Sequence, residues 1–89
     1  MVRYVGLDVH KRFIEVCILD ASGKPIYRGK VGCQREELIA FVKTKLKRTD
    51  CVALEATTNT WPLVGILRPG VKEVVVGNPL KRRPLPKPR

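Results

Sequence analysis

The sequence predicts an α/β fold with a mixed five-stranded sheet and elements in the order βββαβαβ. The first part of the chain has three short β-branched segments joined by short turns, which favours an antiparallel meander. The later part alternates apolar strand segments with helical ones, which is typical of parallel strands joined through helices. A length of 89 residues is enough for one small domain and excludes a multi-domain enzyme.

The first three strands are predicted from runs of β-branched and aromatic residues. Residues 2–9 and 13–19 form two such runs. The turn-forming sequence DASGK at residues 20–24 then leads into a third strand over residues 25–31. Asp8 is expected at the end of the first strand.

Residues 35–48 change to a helical period. Acidic residues occupy the first turn and basic residues the end, which is the arrangement that the helix dipole favours. The predicted apolar face consists of Leu38, Ile39, Val42 and Leu46. The polar face of this helix is therefore strongly basic.

The remaining elements are two strands with a helix between them. Residues 51–56 predict a buried strand with Glu55 near its end. A short helix is predicted over residues 61–67, stopped by the sequence RPG. Residues 71–77 predict the fifth strand, which the following Asn-Pro breaks.

Net charge points to phosphate polymers as partners. The chain has 18 Lys and Arg against 8 Asp and Glu, a formal charge of +10. The basic, proline-rich sequence at 79–89 contains no acid, so we expect an extended, unpacked tail after a domain at 1–78. No apolar run approaches the roughly 20 residues of a membrane span, and no signal peptide is recognisable, so a cytoplasmic location is expected.

The three cysteines fit neither a disulfide framework nor a zinc site. Cys17, Cys33 and Cys51 are odd in number and lie 16 and 18 residues apart. Reduced thiols are therefore expected. Cys17 and Cys51 lie in apolar runs and are predicted to pack as small core residues.

Asp8 and Glu55 are the candidate metal ligands. They lie at or near the ends of the first and fourth strands, and their carboxylates meet if those strands are neighbours in the sheet. Oxygen ligands suit Mg²⁺ or Mn²⁺. The alternative is a pair of ordinary strand-end acids exposed to water.

Other polar and aromatic residues leave two interpretations open. His10 is either a metal neighbour or proton shuttle, or a turn histidine exposed to water. Lys11 and Arg12 either steer a phosphate backbone or form a solvated charge cluster. Trp61 either stacks on a base or covers the core. Three acids without a motif are predicted to be surface residues: Glu15, Asp50 and Glu73.

Three sequence blocks together resemble the N-terminus of DEDD transposases of the insertion sequence 110 type. The blocks are YVGLDVHK at 4–11, LEAT at 54–57 and VVVGNP at 74–79, and their order and spacing match as well. The resemblance implies an RNase H-like (RuvC-like) domain that lacks the last helix of the full domain. It also implies four carboxylates that hold divalent metal for cutting and joining DNA, of which Asp8 and Glu55 correspond to the first two.

The chain departs from the family pattern after Pro79. Family members carry their last two acids in a Thr-Asp-x-x-Asp-Ala-like block, whereas no acid follows here, and the family's C-terminal domain with its nucleophilic serine is missing. The resemblance therefore predicts no intrinsic transposition by this chain. For the intact parent it implies binding of DNA and of a structured guide RNA.

Two further expectations compete with or extend this interpretation. The chain is alternatively a non-catalytic basic nucleic-acid-binding module, or a decayed gene remnant. In the binding module the tail would contact phosphates without sequence preference, together with Lys11, Arg12, Lys43, Lys47 and Arg48. A homodimer is expected because a domain without its last helix leaves apolar sheet surface uncovered.

One rival fold shares the opening strand. Actin-like ATPases and sugar kinases also begin with a strand that ends in Asp, followed by glycine and a hydroxyl residue that admit a phosphate close to the backbone. Here Val9, His10 and Lys11 follow Asp8. Their side chains would obstruct that approach.

Overall fold

The structure is a computed structural model that describes residues 2–55 and 60–77, with the side chains of 60 and 61 excepted. Its strands are β1 (Tyr4–Val9), β2 (Phe13–Leu19), β3 (Pro25–Gly32), β4 (Cys51–Glu55) and β5 (Glu73–Gly77). Its helices are α1 (Arg35–Lys45) and α2 (Thr60–Leu67), the latter followed by a 3₁₀ turn at Arg68–Gly70. The described elements thus follow the order βββαβαβ.

The strands form one mixed sheet in the order β3-β2-β1-β4-β5. The first three strands pair antiparallel through short connections, whereas β4 pairs parallel with β1, and β5 parallel with β4. The register places Leu7 opposite Val16 on one side and Leu54 on the other. The predicted α/β class with a mixed five-stranded sheet is confirmed.

The sheet has one covered and one uncovered face among the described elements. Alternate apolar residues of β1, β2 and β4 pack with buried residues of both helices in a single core. The core residues include Val5, Leu7, Ile14, Val16, Val52, Leu54, Leu38, Phe41, Leu63 and Leu67. The opposite face, here called the open face, carries Tyr4, Gly6, Asp8, Glu15, Cys17, Arg28, Lys30, Cys51, Ala53, Glu55 and Val75.

Helix α1 is three residues shorter than predicted. Leu46 has extended backbone, and the Asp50 amide donates to the Lys47 carbonyl at 2.9 Å, which makes a turn where the sequence pattern continued the helix. The buried face of the helix consists of Leu38, Phe41 and Val42, and Ile39 is only half-buried. The spacing i, i+3, i+4 explains this face, because those positions lie on one side of a helix.

The prediction that Asp50 is a surface acid is wrong. Its side chain is 0% exposed and accepts two hydrogen bonds from Arg3, from Nε to Oδ1 at 2.9 Å and from a terminal nitrogen to Oδ2 at 2.8 Å. Oδ2 also accepts the Lys47 amide at 2.8 Å. Asp50 is buried because its bonds with Arg3 and Lys47 join the start of β1 to the turn between α1 and β4.

Three strand ends differ from prediction. β1 begins at Tyr4, two residues late, and β3 continues through Gly32. β5 begins at Glu73, because Val71 is buried in the core and its amide faces the Arg68 carbonyl of the 3₁₀ turn. The predicted end of β4 at residue 56, the caps at 57–59 and the tail at 79–89 lie outside the described residues.

The cysteines are free thiols, as predicted, but their packing differs. Cys17 and Cys51 are half-buried on the open face and Cys33 is exposed. The prediction of core packing for Cys17 and Cys51 is wrong. Successive side chains of a strand point to opposite faces, and both cysteines occupy the face opposite the buried residues of their strands. Within the described part of the chain, neither helix has the length and hydropathy of a membrane span.

Candidate functional site

The candidate site is a row of three carboxylates across the open face, here called the acid row: Glu15, Asp8 and Glu55. Asp8 and Glu55 each follow a paired residue, Leu7 and Leu54, on two neighbouring parallel strands. The first and fourth strands are neighbours, which is the condition under which the two carboxylates were expected to meet. Both acids are exposed on the same face and line one shallow depression. Parallel strands bring their carboxyl ends to one edge of the sheet, so Asp8 and Glu55 lie side by side.

Glu15 is a member of this row that sequence reasoning placed among unremarkable surface acids. Its side chain is indeed exposed, but the β1–β2 hairpin pairs it directly with Asp8. The hairpin connection fixes this pairing, because the hydrogen bond from the His10 amide to the Phe13 carbonyl closes the turn and places residue 8 opposite residue 15. The pairing of Glu15 with Asp8 becomes evident only once the strand register is known.

His10 bridges two acids of the row. Its Nε2 atom lies 3.2 Å from Oδ2 of Asp8 and 3.3 Å from Oε1 of Glu15. The imidazole stacks on the Phe13 ring with centroids 4.6 Å apart. Ligand atoms of Asp8, His10 and Glu15 lie within 4.8 Å of one another, close enough to share a metal ion. His10 is a 41% exposed turn residue that also contacts both candidate ligands.

The five basic residues predicted to contact nucleic acid lie in two regions. Lys11 and Arg12 form the tip of the β1–β2 hairpin, next to the acid row. Lys43 lies on α1, which packs on the other face of the sheet. Lys47 and Arg48 precede β4 and therefore lie at the opposite end of that strand from Glu55. The Trp61 side chain lies outside the described part of the structure.

The acid row has the chemistry of a divalent-cation site. Carboxylate oxygens are the ligands that Mg²⁺ and Mn²⁺ prefer, and exposed carboxylates on adjacent strands leave positions for water and a phosphate oxygen. The group whose ligand atoms lie within 4.8 Å of one another is Asp8, His10 and Glu15, and Glu55 lies outside that group on the next strand. The donors therefore fit a divalent metal.

One comparison bears on the fold. Among solved structures, a Bacteroides thetaiotaomicron protein with an actin-like ATPase fold and unknown function matches with a TM-score of 0.64 at 17% sequence identity. The match covers 83% of this chain and 32% of that protein, so this chain spans about a third of its relative's length. At this identity the likeness concerns the fold, and it supports the α/β class.

Family membership comes from the sequence itself. No curated protein matches the chain. A family model described as a transposase, for the DEDD enzymes of the insertion sequence 110 type, matches residues 5–87. That range includes both helices, the whole acid row and every described strand except the first residue of β1, Tyr4. The chain therefore belongs to the DEDD transposases of the insertion sequence 110 type.

Proposed function

We propose that this chain is the first part of the RNase H-like catalytic domain of a DNA transposase. Asp8 and Glu55 contribute two ligands to a divalent-metal site at which the intact protein cleaves and joins DNA. One observation carries the proposal: both acids lie side by side on one open face, at the carboxyl ends of neighbouring parallel strands. Membership of the transposase family supplies the reaction class.

The residues of this chain would hold a divalent metal and orient the carboxylates that bind it. When bound, divalent metal would activate the attacking oxygen and stabilise the leaving oxygen of a phosphodiester. Asp8 and Glu55 offer oxygen ligands from rigid strands, and His10 keeps the Asp8 carboxylate in place through its 3.2 Å contact. The two remaining carboxylates of the family come from elsewhere in the intact transposase. DNA is the substrate, and a structured guide RNA is the second nucleic-acid partner.

A metal-binding measurement on the 89-residue chain tests the two ligands. Titration with Mn²⁺ followed by electron paramagnetic resonance should give weak binding, which Asp8→Asn and Glu55→Gln each reduce about tenfold because each removes a charged ligand. Glu73→Gln is the matched control, since Glu73 is an exposed acid at the opposite end of β5. Equal Mn²⁺ affinity in all four proteins would contradict the proposal.

The competing function is a basic module that binds nucleic acid without catalysis. The exposed cations near the hairpin tip, Lys11 and Arg12, favour it. Binding that disappears at high salt and ignores both Mg²⁺ and Asp8→Ala would support that function instead. We expect no strand cleavage by this chain with Mg²⁺ or Mn²⁺, and turnover abolished by Asp8→Ala would overturn that expectation.

A further inference from the structure

Two basic residues of β3, Arg28 and Lys30, lie on the open face beside the acid row. The β2–β3 register places Lys30 opposite Glu15 and Arg28 opposite Cys17. Both side chains are exposed, and both line the depression that Asp8 and Glu55 also line. No motif marks these two residues in the sequence, because only the sheet order brings β3 within two strands of β1.

Small side chains leave the open face shallow beside the acid row. The cross-sheet row next to the acid row consists of Cys17, Gly6 and Ala53, all small residues, with Arg28 at one end. A Cβ built on Gly6 would meet nothing nearer than the Cys17 carbonyl oxygen at 3.9 Å, so that position is open toward the depression. A polymer that runs along β3 past Arg28 and Lys30 therefore has room to turn across the sheet toward β4.

Spacing and charge both suit a phosphodiester backbone. Residues two apart on a strand are about 6.6 Å apart, close to the separation of successive phosphates along a nucleic-acid strand. β3 lies two strand spacings, about 10 Å, from Asp8. Within residues 2–55 and 60–77, neither Arg28 nor Lys30 forms an ion pair with a carboxylate. Both cations are available to an anionic ligand.

Lys30 is also held in place. Its Nζ lies 4.7 Å from the centroid of the Phe13 ring, and the same ring stacks on the imidazole of His10. A cation over an aromatic face is stabilised by the ring electrons. This chain of contacts connects Lys30 to the same histidine that bridges Asp8 and Glu15.

We propose that Arg28 and Lys30 bind successive phosphates of a DNA strand and lead it across the open face to the acid row. The inference rests on the proposed function, because it takes DNA as the polymer that reaches Asp8 and Glu55. Arg28 and Lys30 are positioning residues that set the path of the strand.

The test is binding of a fluorescent single-stranded DNA to the 89-residue chain in EDTA, by anisotropy at several salt concentrations. The double variant with Arg28→Ala and Lys30→Ala should bind DNA about tenfold more weakly. A plot of the logarithm of its affinity against the logarithm of the salt concentration should have a slope smaller in magnitude by about 1.4 to 2, the change expected for two lost phosphate contacts. The control is Arg35→Ala with Arg68→Ala, an equal loss of charge at two exposed positions of the helical layer. All variants keep the basic tail.

Gly6→Val provides a second variant with unchanged charge. Valine suits a strand, and a Cβ at this position would make only an ordinary contact, so circular dichroism should show a folded protein while DNA binding weakens. Equal loss of affinity in the two double variants, or unchanged binding by Gly6→Val, would overturn the inference. Substitutions that weaken binding of an RNA of the same sequence but leave DNA binding unchanged would also overturn it. Because EDTA removes metal, these outcomes are independent of the Mn²⁺ test of Asp8 and Glu55.

Discussion

At the scale of single residues, Arg3 and Asp50 join three parts of the fold. Besides its two bonds to Asp50, Arg3 donates from a terminal nitrogen to the Lys45 carbonyl at 2.9 Å, near the end of α1. The hydrogen bond to Asp50 raises the pKa of Arg3 above its ordinary value, so Arg3 remains a cation. The pair satisfies a carboxylate that has no contact with water.

Removal of one partner leaves a buried charge uncompensated. We expect Arg3→Ala to lower the free energy of unfolding by about 3–5 kcal/mol, measured by urea denaturation. Arg12→Ala at the exposed hairpin tip serves as the control and should change it by less than about 0.5 kcal/mol. Similar unfolding midpoints for the two variants would show that the pair contributes little.

Asp20 organises the turn between β2 and β3 through its carboxylate. Oδ1 accepts the Ser22 hydroxyl at 2.7 Å and the amides of Ser22 and Lys24 at 2.9 Å each. These bonds lower the pKa of Asp20 below its ordinary value, and the bond from the Ser22 hydroxyl has the largest effect. Since the folded-state pKa lies below the unfolded one, this contribution to stability is complete above the ordinary value of 3.8 and is lost as pH falls through the folded value.

Ser22→Ala removes the largest of these contributions and leaves the backbone bonds. We expect the pKa of Asp20 to move up toward its ordinary value, as followed by carboxyl chemical shifts in an NMR titration. Ser22→Thr keeps the hydroxyl and should leave the Asp20 pKa low. A pKa that is the same in the alanine variant and the parent would exclude the hydroxyl as the cause.

At the scale of elements, two glycines illustrate opposite demands on the backbone. Gly23, in the turn before β3, has φ +93°, a conformation that L-residues rarely adopt. Gly65 lies inside α2, where glycine weakens the helix. A Cβ at either position would meet no atom within 4 Å. Conformation alone, without a steric clash, therefore decides the effect of adding a methyl group.

The same substitution should have opposite signs at these two positions. We expect Gly23→Ala to destabilise the fold by about 1–2 kcal/mol and Gly65→Ala to stabilise it by about 0.5–1 kcal/mol, measured by thermal unfolding. The two variants are controls for each other, because both add one methyl group into open space. Changes of the same sign would contradict the conformational argument.

At the scale of the whole molecule, the sheet order decides where chemistry can occur. Placing β1 in the centre, between antiparallel β2 and parallel β4, sets Asp8 between Glu15 and Glu55. The same order puts basic β3 at the edge beyond β2. Tyr4 and Val75, 48% and 49% exposed, add apolar surface to the open face. The predicted homodimer stays a prediction, which sedimentation equilibrium at high concentration can test.

The local pattern of the sequence was enough to predict the type and order of the described elements, though not all of their ends. Strands, helices and their order follow from periods of two and 3.6 residues, which depend only on neighbours a few positions apart. Asp8 and Glu55 were identified from the sequence because each lies at the end of a strand, next to a recognisable block. The end of α1 was missed because the turn that follows it is closed by bonds between Asp50 and Lys47, and the Asp50 carboxylate is held by Arg3, 47 residues away.

Tertiary structure alone decided which residues share a face and a site. Glu15, Arg28 and Lys30 carry no motif, and they join Asp8 only through strand pairing and register. The burial of Asp50 likewise depends on a partner distant in sequence. The physical reason is the same in each case: a side chain's charge belongs to the sequence, but its neighbours and its access to water depend on how the strands pair and what packs over them.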